Sequence, residues 1–294
     1  METMGKIRRV LTTQRLKRIL WGEFSGKRVL KSILLIYVFL GCYAYFFADR
    51  MIFQPQPSSY HDQPDTLKLI TADGTRITAL YLPNPTATYT MLYSHGNAED
   101  LGDSRSTLEA LHQMGFAVLS YDYRGYGTTP GRASEQTTYQ DIDAAYRYLT
   151  TTLRITPDRI IVYGRSVGSG PSVELASRAP VAGLILENAF TSTFRVITRI
   201  PIFPFDRFDN LSKIKRVNCP ILMIHGSADR LIPLHHGQTL FNQAQPPKQF
   251  VVVDGAGHND VMSVAGSQYV QTLQTFTQQL GQPATPAQPK KSPT

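Results

Sequence analysis

The chain has 294 residues, of which 42% are apolar and 18% are charged. This composition can fill a large hydrophobic core, so it excludes a wholly disordered chain. The length fits one domain of roughly 250 residues with extensions at its ends. Only two cysteines occur, Cys42 and Cys219, which excludes a disulfide scaffold and a thiolate zinc cluster.

The net charge of +8 comes almost entirely from one end of the chain. Residues 1–31 hold nine Lys or Arg side chains and two Glu side chains. The remaining 263 residues carry 21 basic and 20 acidic side chains and are nearly neutral. Because phosphate binding needs a basic face on the folded domain, we expect no nucleic acid partner.

An uncharged apolar segment, residues 32–48, follows the basic segment directly. In helical form it extends about 25 Å, enough to cross a thin hydrocarbon core. The pattern predicts a single-pass transmembrane signal anchor, with residues 1–31 cytoplasmic and the rest of the chain extracytoplasmic. A buried core helix, a lipoprotein box at Phe39–Cys42 and a signal-peptidase site at Cys42–Ala44 remain alternatives. Residues 7–20 fit either a basic helix on anionic lipid or a cytoplasmic tail.

Residues 49–65 are predicted to be a linker, 66–280 a folded domain, and 281–294, with four prolines, a disordered tail. Within the domain, strand-like and helix-like segments alternate. Strands are predicted at 66–71, 76–82, 89–94, 117–121, 160–163, 182–187, 221–225 and 249–253, and helices at 103–114, 134–153, 168–179, 236–245 and 260–279. This alternation predicts the α/β class, with a mostly parallel sheet, helices on both faces and an antiparallel hairpin at one edge.

The segment Gly164-Arg165-Ser166-Val167-Gly168 follows a predicted strand and begins a helix. In that context Gly-x-Ser-x-Gly is typical of a nucleophile elbow, a strained turn that exposes the serine hydroxyl. The two glycines let the strand and the helix approach each other. The alternative is a glycine-rich turn with an idle serine. A phosphate-binding loop is disfavoured because the Lys-Ser/Thr ending is missing.

A serine nucleophile needs a base, and the base needs a group that orients it. His258 lies in Gly255–Asp260, a loop after the last predicted strand, where an imidazole can reach the nucleophile. Asp229 follows the predicted strand 221–225, which precedes that last strand in the chain. The chain order Ser166, Asp229, His258 is the order of α/β-hydrolases. Glu187, at the end of another strand, is the rival acid.

The oxyanion hole is predicted at two backbone amides. Asn97 follows the strand at 89–94, and Val167 follows the nucleophile. We expect His95 to shape its loop by hydrogen bonding and to take no part in the chemistry. The sequence contains no metal-binding pattern, and the proposed chemistry requires no cofactor.

The segment 188–220 is too short for a full cap domain and is rich in bulky apolar residues. As a short lid, it could supply substrate-binding side chains, of which Phe190, Phe194 and Phe205 are the candidates. The alternative is ordinary packing of the lid on the sheet.

Several motifs together resemble the abhydrolase-domain serine hydrolases. The motifs are Ser94-His-Gly-Asn-Ala-Glu-Asp-Leu-Gly102, Ser120-Tyr-Asp-Tyr-Arg-Gly-Tyr-Gly127, Asp141-Ile-Asp-Ala-Ala145, the elbow at 164–168 and Gly255–Asp260. Among these hydrolases the chain resembles the acyl-protein thioesterases, which remove palmitate from cysteine, and their membrane-anchored relatives. The resemblance spans about residues 66–280 and implies the α/β-hydrolase fold and the triad Ser166, Asp229 and His258.

Together these features predict a membrane-anchored serine hydrolase that cleaves esters or thioesters with an apolar acyl group. Its partners would be a small-molecule or lipid-like substrate and the membrane lipid around the helix. Two alternatives remain open: a serine peptidase acting on short peptides, and a catalytically idle, membrane-tethered binding module.

Overall fold

The computed structural model describes residues 26–198 and 200–280. The expectations for residues 1–25, including the segment 7–20, and for the tail 281–294 lie outside these residues. The chain divides into two compact units, one ending at Ala48 and the other beginning at Asp49.

The first helix, α1, runs from Gly26 to Ile52 and includes the predicted segment 32–48. Its 27 residues extend about 40 Å. By length and composition it is long and apolar enough to cross a membrane. Only 6% of its apolar window is buried within the structure, which disfavours a buried core helix.

The second unit is built on one eight-stranded sheet with the order β1-β2-β4-β3-β5-β6-β7-β8. The strands are β1 (Thr66–Ile70), β2 (Arg76–Leu82), β3 (Thr90–Ser94), β4 (Ala117–Tyr121), β5 (Ile160–Arg165), β6 (Gly183–Glu187), β7 (Ile221–Gly226) and β8 (Lys248–Val253). β2 is antiparallel to both β1 and β4, and the pairs from β4 through β8 are parallel. The predicted parallel sheet with an antiparallel edge is confirmed.

Helices cover both faces of this sheet. They are α2 (Leu101–Gln113), α3 (Glu135–Arg147), α4 (Ser169–Ala176), α5 (Thr193–Thr198), α6 (Asn210–Lys213), α7 (His235–Gln243), α8 (Val261–Ala265) and α9 (Ser267–Leu280). Successive strand residues face opposite sides. Leu92 accordingly belongs to a core cluster that includes α3 and α4, whereas Met91 belongs to a cluster that includes α2 and α9.

The segment 49–65, expected to be a linker, makes specific contacts with the sheet domain. Phe53 is buried in the core, with its ring against Tyr126 and Phe208. The Ser59 amide donates to Asp100, at the amino end of α2, over 2.8 Å. The folded unit therefore includes residues that lie before its predicted first residue, 66. The side chains of this segment find these partners only in the tertiary structure.

Two predicted helices differ from the observed ones. The helix expected at 134–153 is α-helical to Arg147 and continues as one turn of π-helix, Tyr148–Thr152. The helix expected at 260–279 is divided into α8 and α9 at Gly266, whose φ is +51°. Glycine adopts this left-handed conformation without a side-chain clash, which allows the chain to turn between the helices.

Candidate active site

The predicted site residues lie at one edge of the sheet. Ser166 follows β5, Asp229 follows β7 and His258 follows β8. These strands are parallel, so their carboxyl ends meet at the same edge. Asn97 follows β3 at this edge as well.

Ser166 occupies a strained turn between β5 and the helical segment that leads into α4. Its φ is +53°, in the left-handed region that residues with a side chain seldom adopt. The glycines on either side make this turn possible. A Cβ atom on Gly164 would lie 2.6 Å from the Gly168 carbonyl oxygen, and one on Gly168 would lie 2.7 Å from the His95 carbonyl oxygen. Any larger residue would force the strand and the helix apart.

A chain of hydrogen bonds joins the three predicted triad side chains. Ser166 Oγ is 2.8 Å from His258 Nε2, and His258 Nδ1 is 2.7 Å from Asp229 Oδ2. Because a carboxylate oxygen only accepts, Nδ1 carries a proton, and in the tautomer protonated at Nδ1 alone Nε2 accepts from the serine hydroxyl. In this arrangement the imidazole can remove a proton from Ser166.

Backbone amides hold the Asp229 carboxylate in place. Its Oδ1 accepts hydrogen bonds from Leu231 and Ile232, each 2.8 Å long. Burial acts to raise the pKa of Asp229, but the hydrogen bonds from His258 and these amides outweigh it and lower the pKa below its usual value. The carboxylate is therefore ionised where it can stabilise a positive charge on His258.

Glu187, the rival acid, has other partners. Its Oε2 accepts from the Tyr163 and Tyr269 hydroxyls, each at 2.7 Å, and its Oε1 lies 3.3 Å from Arg165 Nε. The structure thus places Asp229, and not Glu187, on His258. The sequence alone is compatible with either acid because Glu187 ends one parallel strand and Asp229 lies just beyond the end of the next.

The predicted oxyanion donors lie in two segments, one after β3 and the other directly after Ser166. Val167 is the second residue of the short helical segment Ser166–Gly168, at a helix start where amides lack intrahelical acceptors. The Asn97 amide has no acceptor within residues 26–198 and 200–280. His95 has the predicted role in shape, since its Nδ1 lies 2.8 Å from the Gly96 carbonyl oxygen. Burial lowers the pKa of His95, which keeps the ring neutral.

Asn188 was not singled out in the sequence, yet it connects the acid and base loops. Its Oδ1 accepts from the Gly226 amide at 2.9 Å, and its Nδ2 donates to the His258 carbonyl oxygen at 2.9 Å. Its φ of +48° is a conformation that asparagine tolerates better than most residues. The available signal was an asparagine directly after β6, at the edge where the site lies.

The three phenylalanines proposed for substrate binding differ in their surroundings. Phe190 is buried and lies edge-on to Phe208, with 6.3 Å between ring centroids. This position favours the packing alternative for Phe190. Phe194 and Phe205 are partly exposed, with 6.0 Å between their ring centroids. Together with Phe203 they form a separate aromatic group.

Comparison with known proteins gives the family. A family model described as serine aminopeptidase, S33, matches residues 85–202. Alpha/beta hydrolase domain-containing protein 17B of Xenopus tropicalis is 42% identical over 213 residues, covering 71% of this chain and 73% of that protein. Its Homo sapiens counterpart is 41% identical over the same share. The chain belongs to the alpha/beta hydrolase domain-containing protein 17 family. As a member of this family it is a serine hydrolase, as the sequence predicted.

Solved structures agree with this family's fold. The esterase Pf2001 of Pyrococcus furiosus has a TM-score of 0.66, covering 78% of this chain and 100% of its own, at 18% identity. The esterase RhEst1 of Rhodococcus sp. ECU1013 has a TM-score of 0.61, covering 74% of this chain and 100% of its own, at 17% identity. At such low identity the likeness establishes the α/β-hydrolase fold alone.

Proposed function

We propose that this serine hydrolase cleaves carboxylic esters or thioesters with an apolar acyl group through an acyl-enzyme intermediate. The observation that carries the proposal is the hydrogen-bonded chain from Ser166 through His258 to Asp229. A weak hydroxyl nucleophile, an imidazole base and an ionised acid are joined in the order that acyl transfer requires.

The reaction begins when Ser166 Oγ attacks the substrate carbonyl carbon and His258 Nε2 accepts the hydroxyl proton. The carbonyl π electrons move to oxygen, and the Asn97 and Val167 amides donate hydrogen bonds to the resulting oxyanion. Collapse of the tetrahedral intermediate breaks the bond to the alcohol or thiol, which takes the proton from His258. Water then attacks the acyl-enzyme in the same way, releasing the carboxylic acid and restoring Ser166. Throughout, Asp229 orients His258 and stabilises the imidazolium.

The proposed apolar acyl group is supported by the aromatic group on the lid. Phe203 and Phe205 are stacked, with 5.5 Å between ring centroids, and Phe194 lies edge-on to both. Such a surface favours hydrocarbon chains because it removes their apolar area from water.

The proposed location is a membrane, with α1 as a single-pass anchor. The basic residues 1–31 would stay in the cytoplasm and the catalytic unit would lie on the other side, following the positive-inside rule. The supporting observation is the length and apolar composition of Gly26–Ile52.

Labelling with a fluorophosphonate probe tests the catalytic proposal. We expect the wild-type protein and a Ser177→Ala control to be labelled and Ser166→Ala to be unlabelled. Hydrolysis of p-nitrophenyl esters of increasing chain length then tests the acyl preference, with Phe194→Ala losing activity on long esters and keeping it on acetate. An unlabelled, folded wild-type protein would leave the idle binding module as the function.

The serine peptidase remains the second enzymatic candidate, since the matched family model is named for an aminopeptidase. Aminoacyl p-nitroanilides measured beside the esters decide between the two. Faster turnover of the anilides than of any ester would overturn the ester proposal.

Membrane orientation is tested with single cysteines in a background lacking Cys42 and Cys219. We expect a membrane-impermeant maleimide added outside intact cells to label Ser263→Cys in the catalytic unit. Thr13→Cys should react only after permeabilisation. The reverse pattern would place the catalytic unit in the cytoplasm.

A further inference from the structure

The residue before the nucleophile, Arg165, contacts three other segments of the chain at the site. Its Nη1 is 2.5 Å from Glu99 Oε1, after β3, and its Nη2 donates to Asn259 Oδ1, after β8, over 2.8 Å. Its Nε lies 3.3 Å from Glu187 Oε1, at the end of β6. The side chain is 14% exposed, so these interactions are only partly screened by water.

Glu99 connects Arg165 to the loop of the proposed oxyanion hole. Its Oε1, which accepts from Arg165, also accepts from the Gly96 amide at 2.6 Å. The next amide along the chain is that of Asn97, the proposed oxyanion donor. A fixed Glu99 carboxylate therefore holds the peptide that directly precedes the one carrying this donor.

Asn259 connects Arg165 to the loop of the proposed base, His258. It follows His258 directly, and its side-chain oxygen accepts from Arg165. The Asn188 side-chain amide donates to the His258 carbonyl oxygen at 2.9 Å. The histidine loop is thus held at two adjacent residues.

We propose that Arg165 is a positioning residue that holds the oxyanion-hole loop and the histidine loop at a fixed spacing on either side of Ser166. This inference rests on the proposed function. The planar guanidinium suits the role because it offers several donors in a rigid fork, which a lysine ammonium cannot reproduce toward separate segments.

Arg124 provides a matched control. Its side chain is 8% exposed and pairs with two carboxylates, those of Asp141 at 3.0 Å and Asp73 at 2.6 Å. Its other hydrogen-bond partners are Gln140 and Thr71. None of these four residues belongs to the loops that carry Asn97, Ser166, Asp229 or His258.

The test compares Arg165→Lys with Arg124→Lys in the full-length protein, using kcat and KM for p-nitrophenyl butyrate, the rate of fluorophosphonate labelling, and Tm. We expect both variants to lower Tm. Only Arg165→Lys should lower kcat and the labelling rate, by about 10- to 100-fold, with KM nearly unchanged. Equal losses of kcat in both variants, or wild-type kcat in folded Arg165→Lys, would overturn the inference.

Asn259→Ala provides a second measurement because its exposed side chain can be removed with little effect on folding. We expect kcat to fall severalfold and the loss to be less than additive with Arg165→Lys, as for residues that act through one contact. Fully additive losses would contradict this coupling. A different result would overturn the proposed function itself: wild-type protein that is not labelled at Ser166.

Discussion

The side-chain amide of Asn97 donates a hydrogen bond to the backbone carbonyl oxygen of Ile52, 2.6 Å away. Its side-chain oxygen accepts from the Gln54 amide at 3.1 Å and from the Tyr126 hydroxyl at 2.6 Å. The residue proposed to stabilise the oxyanion is therefore held by Ile52, the last residue of the apolar helix, and by Gln54 just after it. On its other side, Glu99 holds the Gly96 amide.

Asn97→Ala removes these side-chain contacts and keeps the backbone amide. We expect a loss of about 1–3 kcal/mol in the free energy of unfolding, because the partners in this partly buried contact lose their hydrogen bonds. The loop should also lose its fixed position, so kcat should fall about tenfold or more. Urea unfolding and ester hydrolysis measure the two effects. Wild-type values for both would show that the segment 52–54 does not support the site.

Asp229→Asn should abolish most of the activity without unfolding the protein. Asparagine has nearly the same shape but favours the wrong imidazole tautomer and carries no charge, so we expect kcat to fall by about 10⁴-fold with a small change in KM. Steady-state hydrolysis of p-nitrophenyl butyrate is the measurement. Glu187→Gln is the comparison, and a larger loss of kcat in that variant would restore Glu187 as the catalytic acid.

Gly168→Ala should prevent a stable elbow. The added Cβ would lie 2.7 Å from the His95 carbonyl oxygen and still closer to that of Ser94, both of which are backbone atoms that cannot rotate away. We expect a loss of more than about 3 kcal/mol in unfolding free energy or no folded protein. Gly257→Ala, beside His258, is the control because its Cβ would meet no atom closer than 3.5 Å. If thermal unfolding shows equal effects of the two variants, close packing at the elbow is not the cause.

Acid should destabilise the protein through His236. Burial lowers the pKa of its imidazole to about 4, and the charges of His235, His225 and Arg195 act in the same direction. In the unfolded chain the pKa is about 6.5. The unfolded state thus binds more protons between these values, and stability falls as the pH falls from about 6.5 to about 4.

We expect this residue to account for about 1–2 kcal/mol of the unfolding free energy lost between pH values of about 7.5 and 5, allowing for partial solvent screening. Urea unfolding of the wild type and of His236→Asn at both pH values gives the difference. Asparagine can still bond to Thr191, the partner of His236 Nδ1 at 3.0 Å. An identical pH dependence in the variant would contradict the assignment.

Local sequence determined the strands, most helices and the reactive segment. Glycines at 164 and 168 around Ser166 predict a strained turn because only glycine permits that approach of strand and helix. Alternating apolar segments predict the parallel sheet because each strand must be covered on both faces. The fold and the candidate triad were accessible from the sequence for these reasons.

Long-range partners were decided only by the tertiary structure. Glu187 ends β6 and Asp229 lies just beyond the end of the parallel strand β7, and only the path of the loop after β8 brings His258 to Asp229. Asn188 and Arg165 have no distinctive sequence pattern, since their roles depend on contacts with distant residues, His258 and Glu99 among them. The segment 49–65, predicted to be a linker, belongs to the domain because Phe53 and Ser59 find their partners there. The periodicity of apolar residues indicates which face of a helix or strand is buried. Side-chain hydrogen bonds depend instead on which loops lie next to each other, and the packing of the whole sheet determines this.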